Sequence, residues 1–233
     1  MQTKTKNKLV SKLLPDGAVD SGKRKATYIA FVLDESGSMA NGMSLTIETF
    51  NEQLRIVRAN EAAGGKTRVS FFKFSEVVRC LYHAESVGQA KALCPVSYRP
   101  MGGTALYDGV GAALDALEQI DTAGEDAAFL VCILTDGEER DSTKYTGKAL
   151  GSRVRRLQDT GKWTFTLMGP QRNLAQISDL LGIDASNVAG FEPESLSSRT
   201  QVIHTESLKM DNYMTMRSMN VACAQNLYAP QDE

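Results

Sequence analysis

The sequence predicts an α/β fold, in which a mostly parallel, doubly wound sheet carries helices on both faces and one antiparallel strand at its edge. Two continuous apolar runs, Tyr28–Leu33 and Ala127–Leu134, are typical of strands that are buried on both faces. Strand patterns alternate with helical patterns along the chain, which favours a parallel sheet covered by helices. Strand patterns at 67–74 and 77–84 are separated only by Ser75-Glu76, which predicts a hairpin and thus the antiparallel edge.

Each element is predicted from its apolar spacing and from the residues at its ends. For the first helix, Ser44 is a suitable N-cap, Leu45, Phe50 and Leu54 lie near helical spacing, and Gly64-Gly65 is a stop signal. In chain order we predict a strand at 27–34, a helix at 44–63, the two hairpin strands, a short helix between 86 and 93, a helix at 105–120, a strand at 127–134, a helix at 143–158, a strand at 163–168, a helix at 174–181, a strand at 187–191 and a final helix at 195–209.

The chain divides into three predicted regions. Residues 1–25 are polar and rich in lysine, and we expect a loose N-terminal arm. Residues 26–209 form the α/β domain. Residues 210–233 form a C-terminal tail with several methionines, whose apolar side chains should pack on the domain or on a neighbouring subunit.

Composition narrows the function classes. With 233 residues, 42% hydrophobic and 23% charged, the chain has the composition of one ordinary globular domain. The net charge is −2 and the basic residues are scattered, so no nucleic-acid partner is predicted. No apolar run has the length of a membrane span or of a secretory signal, so no membrane partner is predicted.

The four cysteines, Cys80, Cys94, Cys132 and Cys223, lack metal-binding spacing and predict reduced thiols in a cytoplasmic protein. A Cys80–Cys94 disulfide is the less favoured alternative.

Three short polar segments stand at predicted strand or helix ends: Asp34-Glu35-Ser36-Gly37-Ser38, Gly102-Gly103-Thr104 and Thr135-Asp136-Gly137. If the strands before the first and third segments are parallel neighbours, their carboxylates meet at one sheet edge, where open α/β sheets bind ligands. Each segment alone is a common polar turn. Together they offer two carboxylates and three hydroxyls, from Asp34, Ser36, Ser38, Thr104 and Asp136, an all-oxygen set that suits Mg²⁺ or Mn²⁺, with Ca²⁺ as a further option, rather than zinc.

The order Asp-x-Ser-x-Ser, distant Thr, distant Asp resembles the metal-ion-dependent adhesion site (MIDAS) of the von Willebrand factor A (vWA) domain family. The resemblance covers about residues 26 to 205. It implies a Mg²⁺ ion held by the five residues, directly or through water, with an open position for an Asp or Glu side chain of a protein partner. Met39-Ala40-Asn41 replaces the acidic pair that builds a second site in integrin β subunits, so one metal is implied.

The resemblance also implies a cellular location and a class of partner protein. Compact intracellular vWA proteins of bacteria and phages often work beside AAA+ ATPases, and this chain resembles them more than it resembles secreted adhesins. An AAA+ ATPase is therefore a candidate partner, by analogy. The sequence does not indicate an oligomeric state.

No enzyme is predicted, because no nucleophile–base pair can be assembled. Only two histidines exist, His83 and His204, and both favour structural or surface positions. The segment Gly64-Gly65-Lys66-Thr67 precedes a strand, whereas a phosphate-binding loop precedes a helix. The alternative to a metal-dependent binding module is a structural or assembly component whose arm and tail make the contacts while the metal is only structural. A metal-assisted phosphate hydrolase ranks third.

The other acidic residues near the three segments leave two interpretations open. Glu138, Glu139 and Asp141 are a solvated rim, or one of them adds a ligand. The Asp108 carboxylate balances the partial positive charge at the N-terminus of the helix, or it orients the metal ligands by hydrogen bonds.

Overall fold

The computed structural model describes residues 24–61, 66–137, 139–192 and 195–218. The strands are β1 (Arg24–Asp34), β2 (Lys66–Phe74), β3 (Val78–Ser86), β4 (Glu125–Leu134), β5 (Trp163–Pro170) and β6 (Val188–Phe191), and the α-helices are α1 (Met43–Glu61), α2 (Leu106–Glu118), α3 (Gly147–Gln158), α4 (Gln171–Leu181) and α5 (Leu196–Ser218). Short 3₁₀ helices cover Gly37–Gly42 and Ala185–Asn187. The predicted arm up to residue 23, the predicted helix stop at Gly64-Gly65, Glu138 and the tail from residue 219 lie outside the described residues.

The sheet confirms the predicted fold class. Its strand order is β3-β2-β1-β4-β5-β6, and every neighbouring pair is parallel except β2 with the edge strand β3. The strand order reverses at β1, which pairs with both β2 and β4. Leu33 lies opposite Leu134, so the residues that follow β1 and β4 leave the sheet side by side. We call this side of the sheet the metal edge.

The apolar runs are continuous because helices cover both faces of the sheet. On β1, Ala30 and Val32 join the core under α2, α3 and α4. Phe31 and Leu33 point to the other face and join the core under α1 and α5. Burial on both sides removes the polar–apolar alternation that a half-exposed strand would show.

The predicted short helix between 86 and 93 is wrong. Strand β3 continues to Ser86, a turn follows, and the backbone from Ala90 to Cys94 is irregular. Val87, Ala90 and Leu93 are buried in the core. Their spacing of three residues resembles the spacing on one face of a helix, but here a non-helical segment buries the three side chains in the core.

Three helix boundaries differ by three residues or more from the sequence-based expectations, and one of them is the start of α4, at Gln171 rather than Leu174. Helix α3 begins at Gly147 rather than Thr143, because the side chain of Thr146 caps it and accepts the Ala149 N–H at 3.4 Å. Helix α5 runs to Ser218 instead of ending near Lys209. The first residues of the predicted tail are thus helical and packed on the domain, since Met210, Tyr213 and Met214 are buried in the core below α5.

Two further findings bear on the predicted setting. Cys80, Cys94 and Cys132 are free, so the alternative Cys80–Cys94 disulfide is absent, while Cys223 lies beyond the described part. No helix in the described ranges combines the length and apolar character needed to cross a membrane.

Candidate metal centre

The first carboxylate of the site is fixed at the end of β1. Asp34 is fully buried, and its two oxygens accept different hydrogen bonds. Oδ1 accepts the Ser36 N–H at 2.7 Å, and Oδ2 accepts the Thr135 hydroxyl at 2.6 Å. Because Thr135 directly follows β4, this second bond ties the ends of the two central strands together.

The serines connect Asp34 to the second carboxylate. Ser36 has an extended backbone, with φ −66° and ψ 163°, before the chain turns into the 3₁₀ helix. The hydroxyl oxygens of Ser36 and Ser38 lie 3.0 Å apart, and Ser38 donates to Oδ1 of Asp136 at 2.7 Å. Four of the five predicted ligand residues therefore form one hydrogen-bonded cluster.

Thr104 reaches the cluster from the second of the three polar segments, just before α2. A Cβ atom built on Gly137 would lie 3.3 Å from Thr104 Oγ1 and 3.6 Å from Asp34 Oδ2, so both oxygens face the same small space. The loop is docked at its backbone, since the Thr104 N–H donates to Asp141 Oδ2 at 2.6 Å. The Thr104 carbonyl accepts the N–H groups of Arg140 and Asp141 at 3.0 and 3.1 Å.

The electrostatics of the cluster favour a bound cation. Burial raises the pKa of Asp34 to about 6, although hydrogen bonds from Ser36 and Thr135 oppose the rise, and the charge of Asp136 adds to it. Burial also raises the pKa of Asp136, against the hydrogen bond from Ser38. Two neighbouring carboxylates in a partly desolvated crevice repel each other, and a cation between them would remove that cost.

The chemistry of the donor set fits a hard divalent ion. The described residues contain no cluster of three or more His, Cys, Asp and Glu side chains that could hold a metal. A site of the closed zinc type is therefore not found there. Two carboxylates and three hydroxyls instead offer only oxygen ligands, which Mg²⁺ accepts while it keeps water at the remaining positions.

Sequence reasoning missed the role of Thr135. Its hydroxyl donates to Asp34 and accepts the Gly137 N–H at 3.2 Å, so one side chain orients a carboxylate and shapes the loop that carries Asp136. The available signal was a hydroxyl residue between an apolar strand and an aspartate.

Glu35 was also missed, although it stands inside the first motif. Its carboxylate points away from the cluster and is buried with the ammonium of Lys73, which donates to Oε1 at 2.6 Å. The same oxygen accepts the Arg99 N–H at 2.8 Å, and the Glu35 carbonyl accepts the Met101 N–H at 2.8 Å. Glu35 thereby anchors the loop that leads to Thr104. The available signal was a lysine within the apolar run Phe71-Phe72-Lys73-Phe74 of β2.

For three of the other acidic residues, Asp108, Glu139 and Asp141, the structure shows the hydrogen bonds that the carboxylate accepts. Asp108 accepts the N–H groups of Thr143, Lys144 and Tyr145, each at 3.0 Å, and so fixes the loop before α3. Glu139 accepts the Tyr107 N–H at 2.9 Å and caps the start of α2. Both carboxylates, like Asp141, thus accept hydrogen bonds from backbone N–H groups of the surrounding loops and helix.

The histidines lie elsewhere in the fold. His83 is on β3, with Nδ1 3.2 Å from the Ser70 hydroxyl, and His204 is exposed on α5.

Comparison with known proteins identifies the fold. No protein-family model and no curated protein matches the sequence. Among solved structures, proximal thread matrix protein 1 of the mussel byssus is similar at a TM-score of 0.53 and 17% identity, over 86% of this chain and 47% of that chain. A structure of the same mussel protein with a zinc-occupied MIDAS motif gives a TM-score of 0.54 and 16% identity, over 81% of this chain and 47% of that one.

Two further proteins extend the comparison. VWA2 from Sulfolobus acidocaldarius has a TM-score of 0.51 and 16% identity, over 80% of this chain and 45% of that chain. The vWF domain of the pili tip protein Mfa5 from Porphyromonas gingivalis has a TM-score of 0.52 and 11% identity, over 78% of this chain and 95% of that chain. The chain thus has the vWA fold, as the motif resemblance implies, and it spans about half the length of the mussel protein.

Proposed function

We propose that the chain is a metal-dependent protein-binding module, in which Asp34, Ser36, Ser38, Thr104 and Asp136 hold one divalent cation at a MIDAS. The observation that carries this proposal is the convergence of three loops, far apart in sequence, on one crevice lined by two carboxylates and three hydroxyls. The vWA fold supports it, since this crevice lies where the strand order reverses.

Mg²⁺ is the proposed ion, with Mn²⁺ and Ca²⁺ as alternatives. Only two carboxylates face the ion, so the negative charge of the site does not exceed the positive charge of a divalent cation. The bound ion can therefore still attract an additional anionic group. Mg²⁺ prefers six oxygen ligands and exchanges water at unfilled positions. When bound, the ion would offer such a position to an Asp or Glu side chain of a protein partner. The zinc-occupied MIDAS of the mussel protein supports a divalent metal at a site of this type.

We further propose a binding role without catalysis, in the cytoplasm of a bacterium or in a phage-infected cell. The exposed free thiols of Cys80 and Cys94 suit a reducing compartment. An AAA+ ATPase remains a candidate partner by analogy alone. The alternative assembly component is less favoured, because residues 210–218 of the predicted tail are committed to helix α5.

Titration calorimetry and thermal melting test the site directly. The wild type should bind Mg²⁺ with a one-site isotherm, whereas Asp34→Asn and Asp136→Asn should not bind it and should keep the same circular dichroism spectrum. Because a ligand stabilises the state that binds it, Mg²⁺ at 100 times its Kd should add about 2.7 kcal/mol to the free energy of unfolding. EDTA should remove this increment.

Asp159→Asn is the matched control, since Asp159 is an exposed carboxylate at the end of α3. It should bind Mg²⁺ like the wild type. Identical melts of the wild type in Mg²⁺ and in EDTA, with no heat of binding, would refute the proposed site.

A further inference from the structure

The acidic side chains around the metal edge are turned onto the protein's own donors. Glu35 accepts Lys73 and the Arg99 N–H, and Glu76 accepts the Gly103 N–H at 3.2 Å. Glu139 and Asp141 accept the N–H groups of Tyr107 and Thr104. Lys73 neutralises Glu35, and hydrogen bonds direct the other three carboxylates toward backbone N–H groups of the protein.

Arginines at the same edge face solvent instead. Arg79 on β3 is 61% exposed in its side chain and reaches Glu35 Oε2 only at 3.9 Å. Arg99 is exposed while its backbone is fixed on Glu35. Arg172 is exposed at the start of α4, beside Asn173, whose amide donates to the Asp136 carbonyl at 2.6 Å. A divalent ion at the cluster would therefore be flanked by outward-facing positive charge on both sides.

Three exposed apolar side chains lie in loops on the β3 side of the site, and we call this set the Val77–Met101 patch. Its members are Val77, Val96 and Met101, three of the most exposed large hydrophobic side chains in the described residues. Val77 is in the β2–β3 hairpin, and the Met101 N–H is bonded to the Glu35 carbonyl. Val96 belongs to a turn whose Ser97 carbonyl accepts the Lys73 ammonium at 2.8 Å. The loops that carry Met101 and Val96 are thus anchored to Glu35 and Lys73, which lie directly behind the proposed metal ligands.

We infer that the partner segment reaching the metal edge carries two acidic residues and an apolar residue between or beside them. This inference rests on the proposed function. One carboxylate fills the open position on the ion, and the second pairs with Arg79 and Arg99, whose guanidinium groups can hold a carboxylate through two parallel hydrogen bonds. The apolar side chain covers the Val77–Met101 patch. Charge complementarity favours this partner segment over others. A basic segment would be repelled by the arginines, and a neutral segment would offer Arg79 and Arg99 no carboxylate.

The test uses a displayed library of random dodecapeptides selected against the full chain in Mg²⁺. We expect the selected peptides to contain at least two Asp or Glu residues together with Val, Leu, Ile, Met or Phe, and to be released by EDTA. A synthetic peptide of the consensus sequence then serves as the probe in fluorescence anisotropy. The double variant Arg79→Ala/Arg99→Ala should bind it roughly 10-fold more weakly, as two partly exposed ion pairs would require, with unchanged Mg²⁺ affinity.

Arg156→Ala is the matched control, because Arg156 on α3 is 63% exposed in its side chain and pairs with Glu118. It should bind the peptide like the wild type. Neutralising one peptide carboxylate should abolish Mg²⁺-dependent binding. Neutralising the second peptide carboxylate should weaken peptide binding to the wild type roughly 10-fold. It should not weaken binding to the double variant any further, since the peptide change and the arginine substitutions remove the same interaction.

The outcomes separate the inference from the proposed function. Mg²⁺-dependent peptides with a single acidic residue, or equal affinity of the double variant and the wild type, overturn the inference and leave the metal-dependent binding role standing. Mg²⁺ binding by calorimetry without any Mg²⁺-dependent peptide overturns the inference and the protein-binding role together. If the wild type does not bind Mg²⁺ in calorimetry, the proposed metal site itself is refuted.

Discussion

Replacing Glu35 by alanine should destabilise the protein more than any exposed ion-pair change. The Glu35 and Lys73 side chains are only 7% and 8% exposed, and their charged atoms lie 2.6 Å apart. Truncation of Glu35 leaves the Lys73 ammonium buried with the Ser97 carbonyl as its remaining acceptor. It also removes the acceptor of the Arg99 N–H.

The magnitude follows from burial. Removing one partner of a buried ion pair costs about 3–5 kcal/mol, because the other charge stays desolvated without compensation. The Ser97 carbonyl keeps one hydrogen bond to Lys73, so we expect the lower end, about 3 kcal/mol. For a chain of this length, such a loss lowers the Tm by about 6–12 °C.

Urea unfolding followed by circular dichroism measures the change, and Glu52→Ala is the control. Glu52 pairs with Arg55 at a similar distance, 2.7 Å, but these side chains are 32% and 66% exposed. That loss should stay below about 1 kcal/mol. The double variant Glu35→Ala/Lys73→Met should recover part of the stability, since no charge is left buried. Equal costs for the Glu35 and Glu52 variants would refute this reasoning.

Three further predictions concern other parts of the fold. Burial would raise the pKa of Asp108, but hydrogen bonds from backbone N–H groups outweigh it and hold this pKa below its ordinary value. The ionised Asp108 therefore stabilises the fold above about pH 4, and this stabilisation is lost as the pH falls through the lower folded-state pKa. Asp108→Asn should lower the free energy of unfolding by about 2 kcal/mol at pH 7 and should reduce the loss of stability at acidic pH, as measured by urea unfolding. A Cβ at Gly169 would lie 2.2 Å from the Thr135 carbonyl oxygen, so Gly169→Ala should displace Thr135 and weaken Mg²⁺ binding in calorimetry, unlike Gly42→Ala, whose Cβ meets nothing within 4 Å. A chain ending at residue 218 should melt at a higher temperature than one ending at residue 209, which loses buried apolar side chains of α5; equal melts would contradict this.

The central strands and the position of Asp34 and Asp136 could be predicted from sequence because both-face burial leaves a clear local pattern. An apolar run followed at once by an aspartate marks where a strand leaves the sheet. The parallel pairing of β1 with β4 was the condition under which two such ends could share a ligand, and the sheet meets that condition. The assignment of the five residues to a metal remains a prediction for the calorimetric experiment.

The features that could not be predicted depend on contacts between distant segments. The role of Glu35 could not be predicted because its partner, Lys73, is 38 positions away and lies inside another strand. The segment 86–93 was misjudged because core contacts at every third residue imitate a helix. The end of α5 was placed too early although Met210, Tyr213 and Met214 continue the helical spacing, and no glycine or proline interrupts the helix before Ser218.

The ends of the described chain meet at the side of the sheet opposite the metal edge. The Lys25 ammonium donates to the Ser218 carbonyl at 2.6 Å, and Arg217 donates to the Ala26 carbonyl at 3.3 Å. Strand β1, with 11 residues, separates this side from Asp34 by about 35 Å. A label or tether attached at Arg24 or Ser218 would therefore lie on the side of the sheet away from Asp34. A chain immobilised there would keep the metal edge accessible, and a pulling force applied through Arg24 and Ser218 would enter the fold far from the proposed metal ligands.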